Sequence, residues 1–273
     1  RIFPLYYLVL GFGLLFYNVI LPLLNIPFEI NYNWKEAFFY NVFFLPNVFA
    51  VLYEPGGIIE ILWSLGIEEQ FYLMIAPLLF FINVKWILRV LAILLVGYFI
   101  FYWADVFEAL RKFNFVFFYL FTGGVIAILE EKKKLEFLKQ SAIFPILVCI
   151  ATLLFFTTNI FFVEPLWLRS LLTCFLFGFF IHSLAFNNRG VVVHSKILNH
   201  LGSISYGIYM FHAIVLNAVV FLFLKWEALQ NLNENLTIFL MYLLTFAGTI
   251  LIAHLSYTYF ELYFLKMKNK FRK

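Results

Sequence analysis

The chain has 273 residues, of which 64% are hydrophobic and 12% charged, with a net charge of +4. Soluble domains carry about 25% charged residues, so this chain cannot cover a water-facing surface and reads as an integral membrane protein in a lipid bilayer. Its basic residues gather in loops and at the C-terminus, the distribution of a membrane protein and not of a nucleic-acid binder.

Apolar runs near 20 residues predict eight spanning helices, at about 4–24, 63–82, 86–104, 113–129, 142–162, 166–186, 203–224 and 236–262. The stretch 37–53 is apolar but broken by Asn41, Pro46 and Asn47. It predicts a re-entrant or interfacial helix that needs protein cover for its free backbone groups. The fold class is all-α, a polytopic transmembrane helix bundle. Neither an internal repeat nor a low-complexity linker divides it, so one membrane domain over 1–273 is expected. With Arg1 inside and strict alternation, Lys35, Arg111, Lys112, Arg169 and Lys225 fall outside, and the other 14 of the 19 basic residues fall inside. That asymmetry puts the C-terminus in the cytoplasm. The longest outer segment, about 25–62, carries Glu29, Glu36, Glu54 and Glu60, and long loops of this kind tend to be functional. Cys149 and Cys174 fall inside predicted spans as small buried residues, with no disulfide framework and no metal-ligand spacing.

Three constellations could carry chemistry. Ser64, Glu68 and Gln70 open a predicted helix, with Ser64 and Glu68 on one face. Carboxylates there could be solvated groups at a capped helix start, favoured by the dipole. They could equally orient a catalytic imidazole or bind a sugar hydroxyl. Ser205, Tyr209 and His212 share a face of a later helix. His212 would lie about 15 Å deep at 1.5 Å per residue. It is either a buried neutral histidine with one partner or the lining of a polar cavity. His254, Tyr257 and Glu261 follow the same spacing in the last span, where Glu261 suggests a structural ion pair with the lysine-rich tail. The run Glu130 to Lys134 suits a cytoplasmic loop facing lipid headgroups, or an anionic cofactor. His182, His194 and His200 give no clear signal.

The run Trp63-Ser64-Leu65-Gly66-Ile67-Glu68-Glu69-Gln70-Phe71-Tyr72-Leu73 closely resembles the Trp-Ser-Leu-x-x-Glu-Glu-Gln-Phe-Tyr-Leu motif of the membrane acyltransferase-3 family, which O-acylates polysaccharides and other extracytoplasmic acceptors. Arg1 to Tyr7 resembles that family's Arg-Ile-x-Pro-x-Tyr opening of its third span, and Leu201 to His212 its Leu-Gly-x-x-Ser-Tyr-x-x-Tyr-x-x-His stretch. Ser256, Tyr257 and Glu261 resemble its closing element, with Leu262 and Tyr263 in place of the usual Arg-Pro. The resemblance implies ten spans in the full-length family, the first two of which would precede Arg1, together with a principal catalytic histidine eleven positions after a basic residue. Arg189 and His200 repeat that spacing without the motif's surroundings. The implied function is transfer of an acyl group, acetyl from acetyl-CoA, to a hydroxyl of an extracytoplasmic saccharide, without a metal. A transporter or flippase for a glycan precursor is the alternative. The implied catalytic residues are Glu68, Glu69, Ser64 and His212. Trp63, Gln70, Tyr72, Tyr206 and Tyr209 would contact substrate, and Arg1 would face the CoA phosphates. The location implied is a bacterial inner membrane.

Overall fold

In lipid every backbone polar group must be satisfied within the protein, and long apolar runs do this as helices. The computed structural model describes residues 2–104, 107–186, 195–226 and 232–270, without the side chains of 268–270. Arg1, Arg189 and His194 lie outside the described residues, as does the tail 271–273. The structure is 81% helical, without strands among the described residues, which makes it a polytopic helical bundle. It divides into two compact units, residues 1–64 with 194–273, and residues 65–193.

In the first unit α1 (Ile2–Leu15) continues through a π-helical turn (Phe16–Ile20) into α2 (Leu21–Leu23). The outer segment forms α3 (Trp34–Val42), α4 (Pro46–Tyr53) and α5 (Gly57–Glu60). The Asn33 side chain accepts from the Lys35 and Glu36 N–H groups, and the Glu36 carboxylate accepts from the Asn33 N–H at 2.7 Å. This capping box starts α3. The single helix expected over 37–53 is two helices. Pro46 sits in the first turn of α4, where its missing N–H costs nothing, and Phe44 breaks the path at φ 54°. The expected cover is there: Asn41 is fully buried, and the Tyr6 hydroxyl of α1 donates to its backbone oxygen at 3.1 Å. Gly56 has φ 94°, and a Cβ there would lie 2.3 Å from the Tyr17 ring, so no side chain fits. The Tyr17 hydroxyl accepts from the Ile58 N–H at 3.1 Å and ties α5 to the π-helical turn.

The same unit holds α13 (Lys196–Lys225), α14 (Glu234–Ser256), a second π-helical turn (Tyr257–Glu261) and α15 (Leu262–Lys270). Helix α13 begins at 196, not 203, because the Ser195 hydroxyl accepts from the Leu198 N–H and caps it. Val215, Val219 and Phe223 are buried with Leu240 and Met241 against them, which joins α13 to α14. Helix α1 packs against α5 and α13.

Helix α6 (Trp63–Phe81) starts in the first unit and continues from Leu65 in the second. There follow α7 (Ile87–Trp103), α8 (Glu108–Lys112), α9 (Phe117–Glu131), α10 (Glu136–Lys139), α11 (Ile143–Thr157) and α12 (Leu166–Phe186). Phe71, Ile75, Leu91 and Phe121 form one buried cluster, and Tyr102, Phe118 and Cys174 another. Cys174 is buried as expected, whereas Cys149 is only half-buried.

Among the described residues five helical stretches are long and apolar enough to cross a membrane: Ile2–Leu23, Gly57–Phe81, Leu166–Phe186, Lys196–Lys225 and Glu234–Met267. Helices α7, α9 and α11 occupy three more of the expected positions with 17, 15 and 15 residues. At 1.5 Å per residue they cover about 22–26 Å of a hydrocarbon core about 30 Å thick. The run expected over 142–162 stops at Thr157, where Thr158 turns extended and its hydroxyl donates back to the Leu154 carbonyl at 2.7 Å.

Candidate functional site

The first unit brings the start of α6 onto α13. The Tyr209 hydroxyl lies 2.7 Å from the Ile61 carbonyl and 2.6 Å from Ser64 Oγ. A carbonyl can only accept, so Tyr209 gives its single hydrogen to Ile61, and Ser64 must donate to Tyr209. One turn along, His212 Nδ1 makes a short hydrogen bond with the Tyr209 carbonyl. Nδ1 therefore carries a proton, and in the neutral ring Nε2 is the nitrogen with the lone pair. The Tyr209 and His212 rings lie 5.6 Å apart. One turn back, the Tyr206 hydroxyl donates to the Ile2 carbonyl at 2.9 Å and fixes α1 to α13. Ser205 instead donates to the Gly202 carbonyl at 2.9 Å within its own helix.

His212 lines a cavity of about 230 Å³ between α13 and α14, with Ile208, Tyr242, Thr245, Phe246, Thr249 and Ile250. Most of the lining surface is apolar. His212 lies 16 residues beyond Lys196, about 24 Å along α13 at 1.5 Å per residue.

With that geometry in place, the sequence profile of the acyltransferase domain matches residues 1–254. The chain belongs to the acyltransferase-3 family. No curated protein and no solved structure matches it.

The rest of the acyltransferase motif runs along α6. Glu68, Glu69 and Gln70 are half-buried and Tyr72 is 49% exposed. The expected benefit of a helix N-terminus is absent: no acidic residue lies in the first turn of α6. The dipole's effect fades within one turn, so Glu68 and Glu69 sit beyond it. Trp63, the first residue of α6, is half-buried. Ser64, Tyr206, Tyr209 and His212 thus come together in one unit with Trp63 close by in sequence, while Glu68, Glu69, Gln70 and Tyr72 belong to the stretch of α6 in the other.

Three further groups escaped sequence reasoning or were undervalued. Glu261 is 1% exposed, accepts from the Ser256 hydroxyl at 3.4 Å, and lies so close to Gly207 of α13 that a Cβ there would be 3.2 Å from Oε1. His200 Nε2 and His254 Nδ1 lie 3.0 Å apart across α13 and α14. In the second unit His182, 1% exposed, hydrogen-bonds Glu130 at 2.9 Å, and Lys139 pairs with the other Glu130 oxygen. A carboxylate and a histidine on neighbouring apolar helices must find partners, and that requirement was the available signal. Among the described residues no group of three or more His, Cys, Asp or Glu could hold a metal ion.

Proposed function

We propose that this acyltransferase moves an acetyl group from acetyl-CoA, on the cytoplasmic side of a bacterial inner membrane, to a hydroxyl of an extracytoplasmic saccharide. The observation that carries the site assignment is the His212 tautomer: a histidine held by Nδ1 on a carbonyl presents Nε2 as a base. In the proposed step the acceptor hydroxyl gives its proton to Nε2 while its oxygen attacks the thioester carbonyl. The tetrahedral oxyanion then collapses, the C–S bond breaks, and the imidazolium returns the proton to the leaving thiolate. The mostly apolar surface beside His212 supports this reading, because such a surface disfavours the water that would hydrolyse a thioester.

Ser64 and Tyr209 hold the start of α6 on α13 and so act as positioning residues, with Tyr206 doing the same for α1. Glu68 and Glu69 are assigned to acceptor hydroxyls, and Trp63, Gln70 and Tyr72 to the shape of the acceptor site. Arg1 is assigned to the CoA phosphates. The assay is transfer of labelled acetate from acetyl-CoA to glycan in membrane vesicles. General-base catalysis contributes about 10²–10⁴-fold, so His212→Ala lowers the rate by that order, and Glu69→Gln also loses transfer. Wild-type rates in both variants, with the proteins stably inserted, would remove the assignment.

A further inference from the structure

Lys132, Lys133 and Lys134 follow α9 directly and all three are exposed. The turn that carries them is fixed by backbone bonds, from the Lys132, Lys133 and Lys134 N–H groups to the carbonyls of Ile128, Glu130 and Leu129 at 3.0, 2.8 and 2.9 Å. Lys133 has φ 58°, the left-handed conformation that closes a helix C-terminus. Glu130, Glu136, Lys139 and His182 nearby are engaged with one another. Lys139 holds Glu130 and lies 3.6 Å from Glu136, and the second Glu130 oxygen is taken by His182. None of Lys132, Lys133 and Lys134 makes an ion pair within the described residues. The exposed carboxylate beside them is Glu131, which leaves the turn clearly cationic.

Apolar surface sits next to this charge. Phe137 of α10 is 69% exposed, and Ile143, the first residue of α11, is 67% exposed. The Lys139–Glu130–His182 cluster anchors α10 to α9 and α12, which keeps Phe137 presented. The negative end of the α9 dipole lies here and repels anions, so any attraction for phosphate comes from the lysine ammonium groups. A cationic turn with an outward phenyl ring, between two apolar helices, matches the headgroup boundary of a bilayer.

We propose that the α9–α10 turn binds the phosphates of anionic membrane lipids, with Lys132, Lys133 and Lys134 as the phosphate ligands and Phe137 inserted below the headgroups. The site is independent of the acyl-transfer residues and rests on α9 and α11 lying in the membrane. The test uses the full chain in neutral detergent, unfolded by heat with added phosphatidylglycerol, phosphatidylcholine or inorganic phosphate. The expected result is a rise of several degrees with phosphatidylglycerol alone, suppressed by about 0.5 M salt, where screening is short-ranged. The rise should fall by half or more in the triple variant K132Q/K133Q/K134Q and also in Phe137→Ser. The latter leaves every charge in place, so its insertion follows the wild type. Equal rises in wild type and either variant, or an equal rise with inorganic phosphate, overturn the proposal.

Discussion

Tyr209 has one hydroxyl hydrogen, and the Ile61 carbonyl takes it. That single fact orders the contacts around it and predicts an asymmetry. Tyr209→Phe removes both the bond to Ile61 and the acceptor for Ser64, whereas Ser64→Ala leaves the Tyr209–Ile61 bond intact. Thermal unfolding should show Tyr209→Phe costing about 1–3 kcal/mol and Ser64→Ala about 1 kcal/mol or less. Equal costs would mean that Ser64, and not Tyr209, anchors α6. The contact joins residues 145 positions apart, so no local pattern could reveal it; the resemblance put both residues in one site, but only the fold supplies the proton direction. A second residue-scale case is Glu130. Lys139 pairs with one of its carboxylate oxygens and His182 with the other. Removing one partner of a buried, hydrogen-bonded charge leaves part of it unsatisfied, so Lys139→Met should lower the unfolding midpoint in detergent by the equivalent of about 1–3 kcal/mol. An unchanged midpoint would contradict the pairing.

At the scale of elements, the α13–α14 pair shows what an apolar pattern conveys and what it omits. The spans were legible because long unbroken apolar runs admit little but helix in lipid. The start of α13 was not, because Lys196, Asn199 and His200 interrupt the apolar run although the helix continues through them. The overlooked signal was Ser195, a good cap just ahead of the helix. The two helices also depend on a small residue at their crossing. A Cβ on Gly207 would lie 3.2 Å from the Ala253 Cβ, 3.3 Å from its Cα and 3.2 Å from Glu261 Oε1. Two of those atoms cannot swing aside, and the third belongs to a fully buried carboxylate. Gly207→Val should therefore cost about 1–3 kcal/mol through overpacking, read as a lower unfolding midpoint in detergent. It should also reduce acyl transfer, because Tyr206, Tyr209 and His212 ride on the same helix. An unchanged midpoint would mean that α13 and α14 can separate freely at this level.

At the scale of the whole molecule, orientation across the membrane decides whether the proposed donor and acceptor can reach their assigned sides. Charge counting is the argument for it. The basic residues separate strongly between the two sets of loops, and lysine and arginine collect on the cytoplasmic side. The expectation can be checked within each unit separately. In the first unit Lys35 follows the α3 cap and Lys266 lies at the C-terminal end of the last candidate crossing. In the second, Lys112 ends α8 and Lys133 lies beyond α9. Single cysteines at these four positions, with Cys149 and Cys174 replaced by alanine, should divide cleanly under a membrane-impermeant maleimide. Lys35→Cys and Lys112→Cys should be labelled in intact cells, and Lys266→Cys and Lys133→Cys only after lysis. The reverse pattern in both units would put the assigned CoA face outside, away from any cytoplasmic thioester, and the acetyl-CoA reading would fail even though the family membership stands. Labelling of both Lys35→Cys and Lys266→Cys in intact cells would mean that one of the shorter helices, α7, α9 or α11, does not cross. Their lengths of 17, 15 and 15 residues make that the sharpest question the fold poses about this acyltransferase.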